Sequence, residues 1–274
     1  MRLQGMVVVI TGAARGIGRA CALKAAEEGA ELVITDVDGH IDGVPYTLGK
    51  SCQLEETALR CRSNGASVLA LEADVRSMDD AQRVVKAALT RFGKIDALVN
   101  NAGIGSPAGM PVHGYSEEQW QLMLDVNLSG PWRMIAAVAP AMIKRNCGSI
   151  VNISSTAGLV GYKYFAAYVA SKHGLIGLSK SAALDYASAN IRVNCICPGP
   201  VNDNPAFDGY MTRVVADALG INYEEQVSVD LNSVPMTSVV DPADVASAMS
   251  WLISHESKHT TGSVMTIDAG FTAR

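Results

Sequence analysis

Apolar and polar positions along the chain alternate in a repeating way. Short β-branched runs bounded by turn residues are followed by longer stretches with apolar positions three and four apart. The first kind reads as buried strand and the second as helix. "MVVVIT" (6–11) predicts a strand, and "IGRACALKAAEEG" (17–29) predicts the helix after it. "ELVITD" (31–36), "SVLALEAD" (67–74) and "IDALVNNAG" (95–103) predict three more strands. Later strands are expected at 148–155, 191–199 and 262–270, with long helical patterns over 117–145 and 164–188. Strands that are apolar at successive positions belong to a sheet covered on both faces, as parallel sheets are. The alternation therefore predicts right-handed βαβ units and an α/β fold with a doubly wound parallel sheet.

Two segments break the rhythm: a long connection at 37–53 and another at 200–235. Connections of that length in compact domains are usually functional or disordered. No linker, repeat or low-complexity tract divides the chain, so residues 1–274 are expected to form one domain.

Composition narrows the function classes. Half of the residues are hydrophobic (49%) and 18% are charged, enough for a sizeable core. A net charge of −5 without a Lys/Arg cluster argues against nucleic acid as a partner. The cysteines at 21, 52, 61, 147, 195 and 197 lack CxxC spacing, and the opening "MRLQGMVVVITG" does not read as a secretory signal. Reduced thiols and a cytoplasmic location are the expectation. No apolar run reaches the ~18 residues of a membrane span. No His/Cys/Asp grouping has metal-ligand spacing, so no metal is expected.

Chemistry concentrates after the first strand. In "TGAARGIG", Gly12 permits a tight turn, Gly16 allows close backbone approach, and Gly18 lets helix and strand pack. A helix N-terminus there offers free N–H groups to a pyrophosphate. The spacing is GxxxGxG rather than GxGxxG, and a purely structural turn is the competing reading. Asp36, ending the second strand about 20 positions on, weighs for a dinucleotide, because a carboxylate there binds the adenosine ribose hydroxyls. Its charge repels a 2′-phosphate, which favours NAD over NADP; Arg15 pulls the other way. Asp74 and Val75 close the third strand at the same edge, where Asp74 either accepts from the adenine amino group or caps the next helix. In "NNAG" (100–103), Asn101, Ala102 and Gly103 form either a structural turn or a cofactor contact.

"YVASK" sets Tyr168 four residues before Lys172, one above the other on a helix. By itself such a pair is as well explained by solvated side chains. Taken together, however, "TGAARGIG", "NNAG", "VNISS", "YVASK" and "CPGPV" resemble the short-chain dehydrogenase/reductase family, in the family's order and over essentially the whole chain. The resemblance implies a Rossmann-type three-layer α/β/α fold and the catalytic set Asn127, Ser155, Tyr168 and Lys172. It also implies cofactor contacts from Gly12, Arg15, Gly16, Ile17, Gly18, Asp36, Asp74, Val75, Asn101, Ala102, Gly103, Tyr168, Lys172, Pro198, Gly199 and Val201. In that scheme the Lys172 ammonium favours the Tyr168 phenolate, which exchanges a proton with the substrate oxygen while hydride moves to or from the nicotinamide. Ser155 donates a hydrogen bond to that oxygen, and Asn127 holds a water that relays protons to Lys172. Ser154 is expected to face the other way.

One position departs from the family pattern: Asp203 stands where a threonine commonly contacts the nicotinamide carboxamide, leaving Asn202 or Asn204 as substitutes. The segment 37–53 resembles an insertion of the mycofactocin-coupled subgroup, where it is associated with poorly exchanging NAD; a surface or oligomer loop is the alternative. Residues 105–116, Tyr162 to Phe165 and 200–235 are expected to line the substrate end, with Met110, Tyr210, Met211 and Met236 as apolar candidates and His113 as an ordinary loop residue. The expectation is an NAD(H)-dependent oxidoreductase interconverting a secondary alcohol and a ketone, assembled as a homotetramer through 117–145 and 164–188. The rival readings are an NADPH-dependent biosynthetic ketoreductase and a catalytically silent NAD-sensing scaffold.

Overall fold

Seven strands form one parallel sheet: β1 (Val7–Thr11), β2 (Glu31–Asp36), β3 (Val68–Glu72), β4 (Ala97–Asn100), β5 (Gly148–Ile153), β6 (Ile191–Pro198) and β7 (Val264–Ile267). The structure is a computed structural model and describes residues 1–273. The strands lie in the order β3-β2-β1-β4-β5-β6-β7. The chain runs outward from β1 through β2 to β3, then returns to place β4 on the other side of β1. This reversal opens a crevice at the carboxyl ends of β1 and β4, the ligand position in sheets of this type.

Successive residues of β1 serve different layers, which is why the strands read as unbroken apolar runs. Val8 and Ile10 pack with α1 (Gly16–Glu27), α2 (Ser51–Ser63) and α9 (Pro242–Ile253), whereas Val9 packs with the opposite layer. That second layer holds α3 (Met78–Phe92), α4 (Glu117–Leu124), α5 (Gly130–Arg145) and α6 (Ala166–Tyr186). The strands are shorter than the apolar runs suggest: β4 stops at Asn100, and 101–103 turn into the cleft wall.

The 117–145 pattern is not one regular helix. Between α4 and α5 the residues Asp125–Ser129 form a π-type turn, with the Gly130 N–H donating to the Asp125 carbonyl. Pro131 explains it, since a residue without an N–H cannot bond the Asn127 carbonyl four positions back. The 200–235 segment is also not a plain loop. It contains α7 (Met211–Leu219) and α8 (Tyr223–Ser233), started by the Asn222 side chain accepting from the Glu225 N–H. No helix among the described residues is long and apolar enough to cross a membrane.

Candidate active site

The turn after β1 is shaped by contacts that tolerate no side chain. Gly12 has φ +68°, and a Cβ added there would come within 2.7 Å of the Ala102 Cα; one at Gly18 would collide with the Gly12 carbonyl. At Gly16 (φ +58°) an added Cβ meets nothing within 4 Å, because this residue faces the open cleft. The end of β4 clamps the turn. The Asn101 and Ala102 N–H groups both donate to Thr11 Oγ1 at 3.1 Å, and Asn101 Nδ2 donates to the Thr11 and Gly12 carbonyls. Asn101 is thus a structural clamp as well as a wall residue.

Asp36 Oδ2 accepts from the Ala14 N–H at 2.9 Å, tying the end of β2 to the same turn. Burial pushes its carboxyl upward, and bonds from Ala14 and Val37 with the Arg15 charge offset part of that rise. Asp74 and Val75 line the cleft, and Asp74 does not cap the next helix. Its carboxylate is gripped by the Arg76 guanidinium at 2.6–3.1 Å and accepts from the Arg76 N–H, while Ser77 caps α3.

The 37–53 connection is ordered and closes on itself: the Gly39 N–H donates to the Gly49 carbonyl at 2.7 Å, and α2 begins at Ser51. Ile41, Val44 and Leu48 are buried, and a Cβ on Gly49 would sit 2.8 Å from the Asp36 carboxylate. Tyr46 reaches across the cleft, where its hydroxyl accepts from the Gly105 N–H at 3.1 Å. This residue was invisible to motif reasoning; the one signal for it is a lone aromatic in a Gly-rich insertion.

At the carboxyl end of β5 both Ser154 and Ser155 line the cleft, so Ser154 does not turn away from it; its hydroxyl donates to the Lys172 carbonyl at 3.0 Å. Tyr168 and Lys172 both face the cleft from α6, with Nζ 5.6 Å from the Tyr168 ring centroid. Lys172 Nζ donates to the Ile153 carbonyl at 3.0 Å. The protonation balance differs from the simple pairing argument. Burial drives the Tyr168 hydroxyl up to about 12, Ser155 offsetting only part, and drives the Lys172 ammonium down to about 8. Desolvation of both groups outweighs their mutual influence. Asn127 is wholly buried behind the wall. Its Oδ1 accepts from the Ile104 N–H, and its Nδ2 donates to the Ile104 carbonyl, Met123 Sδ and Ser171 Oγ. Its side chain therefore fixes the 103–105 backbone beside Lys172.

At the end of β6 and just beyond it, Pro198, Gly199 and Val201 line the cleft. A bridge to Val240 takes the Pro200 carbonyl and the Asn202 N–H and passes over the Val201 N–H. Asp203 is spent on the start of α7, accepting from the Thr212 and Arg213 N–H groups. Asn204 is spent too, donating to Asp241 and accepting from Ala206. Asn202 alone of the three keeps a buried Oδ1 without a donor, and it lines the cleft. Of the residues expected at the substrate end, Tyr162, Lys163, Phe165, Tyr210 and Met211 line the cleft, whereas Met110 is off the wall and Met236 is 71% exposed. The cleft encloses about 510 Å³. Among the described residues no acidic, cysteine or histidine cluster has metal-binding geometry.

A glycine cradle at the switch point of a parallel sheet, with Ser, Tyr and Lys converging on its mouth, defines a nucleotide-dependent oxidoreductase site. The comparisons agree. The family model described as enoyl-(acyl carrier protein) reductase matches residues 12–272. A (-)-trans-carveol dehydrogenase of Rhodococcus erythropolis is 35% identical over 277 residues, covering 100% of this chain and 99% of that protein. The crystal structure of a carveol dehydrogenase from Mycobacterium avium in complex with NAD superposes with a TM-score of 0.90 at 30% identity, covering 100% and 99% of the two chains. That of a short chain dehydrogenase from Mycobacterium paratuberculosis bound to NAD gives 0.88 at 34% identity, covering 100% of each. The chain belongs to the short-chain dehydrogenase/reductase family and is an oxidoreductase acting on CH–OH groups.

Proposed function

We propose that the chain, as one catalytic domain over 1–274, interconverts a secondary alcohol and a ketone using NAD(H). The observation that carries this is the convergence of Ser155, Tyr168 and Lys172 on the cleft that also holds the glycine cradle. NAD, when bound, supplies the carbon that accepts or returns hydride. Tyr168 donates its phenolic proton to the ketone oxygen in reduction and takes the hydroxyl proton in oxidation. Ser155 donates a hydrogen bond to the same oxygen as negative charge builds there. Lys172 stands beside the ring to stabilise the phenolate in the oxidising direction.

The residues fit a dinucleotide. Gly16 leaves space for phosphates at the start of α1, and Asp36 stands at the ribose position. Val201 N–H and the donorless Asn202 Oδ1 suit a carboxamide, so Asn202 takes the part of the family's threonine. NAD is favoured over NADP because Arg15, the cation that would attract a 2′-phosphate, is committed to the Thr47 carbonyl and the Tyr210 ring. The same commitment weakens the NADPH ketoreductase reading, and the intact Ser155, Tyr168 and Lys172 set weakens the silent scaffold. The insertion at 37–53 packs on Asp36 through Gly49 and is read as a cover that slows NAD release. Four copies would assemble in the cytoplasm through α4 to α6. The test is Tyr168→Phe: alcohol turnover should fall by ~10²–10⁴-fold with NAD affinity preserved in a direct titration. Retained turnover refutes the assignment.

A further inference from the structure

At the far end of the same cleft, α8 turns two polar side chains inward. Gln226 and Asp230 are four residues apart, share one helix face and both line the cleft. Gln226 is only 4% exposed. Its Nε2 donates to Asp230 Oδ1 at 2.7 Å, which leaves its Oε1 buried without a donor. Asp230 has no ion pair with any described lysine or arginine; besides Gln226 its charged neighbour is Asp203, which repels it. Tyr162, Tyr168, Gln226 and Asp230 line the same cleft, and the Asp230 charge acts on Tyr162. The Tyr162 hydroxyl is already shared with Thr156 Oγ1 at 2.8 Å. Acceptors therefore outnumber donors here. Burial lifts the Asp230 carboxyl to about 6. The other acidic residues of α8, Glu224 and Glu225, lie on its exposed face. Two apolar residues at 226 and 230 would pack against the wall without that desolvation cost.

We propose that Gln226 and Asp230 are the second anchor of the substrate, an all-acceptor patch that selects alcohols and ketones bearing a further hydrogen-bond donor. The donor, a hydroxyl or an ammonium group on the carbon skeleton beyond the reacting carbon, satisfies the free Oε1 and the carboxylate together. The inference rests on the reading of this cleft as an alcohol–ketone site. The test compares 2-butanol, 2,3-butanediol and 1-amino-2-propanol with NAD, in the wild type and in Gln226→Met and Asp230→Asn. The wild type should favour a donor-bearing substrate over 2-butanol by about ten- to hundredfold in kcat/KM, mainly through KM. Each variant should bring that ratio towards one, and whichever of diol or amino alcohol is preferred identifies the donor. Turnover of all three without preference, or a preference both variants retain, overturns the anchor alone. No turnover of any, with NAD bound normally, overturns the alcohol–ketone reading and the anchor with it.

Discussion

Lys172 is 5% exposed, and among the described residues no carboxylate pairs with it; its ammonium donates to the Ile153 carbonyl. Burial lowers it from 10.5 to about 8, with the neighbouring Cys195 and Cys197 pulling weakly back. The sign for stability follows from proton counting. Between pH 8 and 10.5 the unfolded chain binds the proton and the folded chain does not, so folding stability rises with pH across that window. Below about pH 8 both states are charged and the full penalty is present. Lys172→Met removes it at the cost of one hydrogen bond. The variant should lose turnover yet be more stable at pH 7 by ~1–3 kcal/mol, a margin that shrinks towards pH 10.5. Chemical denaturation at the two pH values checks this, and a variant less stable than wild type at pH 7 contradicts it. Tyr168 carries the complementary point: its pairing with Lys172 was readable from spacing, but the direction of its shift was not, because burial appears only once the fold is built.

The element scale shows where sequence reading runs out. The inner strands β1, β2, β4, β5 and β6 were legible as runs that bury both faces, the half-buried edge strands β3 and β7 as short apolar runs between turns, and the glycine cradle because no other residue fits it. Within 200–235, short helices hid behind Asp203, Asn204 and Asn222, which look like loop residues and in fact cap helices or turns. Contacts between distant segments left no local signal either. Arg19, wholly buried in α1, contacts Glu56 of α2 and Asp208; Gln53 donates to Asp208 at 3.0 Å, and Arg60 to the Ala206 carbonyl. Above this seam Arg15 lies 5.0 Å from the Tyr210 ring centroid, and Tyr46 and Tyr210 stand 6.5 Å apart. The inserted loop and the substrate segment are thus latched across the cleft mouth. Tyr210→Ala removes a cation–π and an aromatic contact, so NAD release should quicken by about tenfold. A displacement chase with excess NAD measures it, and an unchanged rate would show that the latch does not hold the cofactor.

For the whole molecule, the sheet order that creates the cleft also decides which surfaces are left outside. Helices α4 to α6 cover one face of the sheet, and their outer sides are not uniformly polar: Trp132 is 50% exposed, Ile143 46% and Leu184 81%. Single exposed apolar residues are ordinary, but three on two adjacent long helices are what a repeated helix-to-helix contact between copies would cover. Removing Leu184 from water is worth about 1.5–3 kcal/mol per copy, and a closed symmetric assembly uses that contact more than once. A charge there must be desolvated at every occurrence. Leu184→Glu should therefore dissociate the proposed assembly, taking the mass by light scattering from four times the 28.8 kDa chain to a smaller species. The cleft lies at the strand ends, away from that contact, so NAD binding by the smaller species should persist. A wild type that scatters as a single chain, or a variant that keeps the fourfold mass, would mean that these helices face solvent.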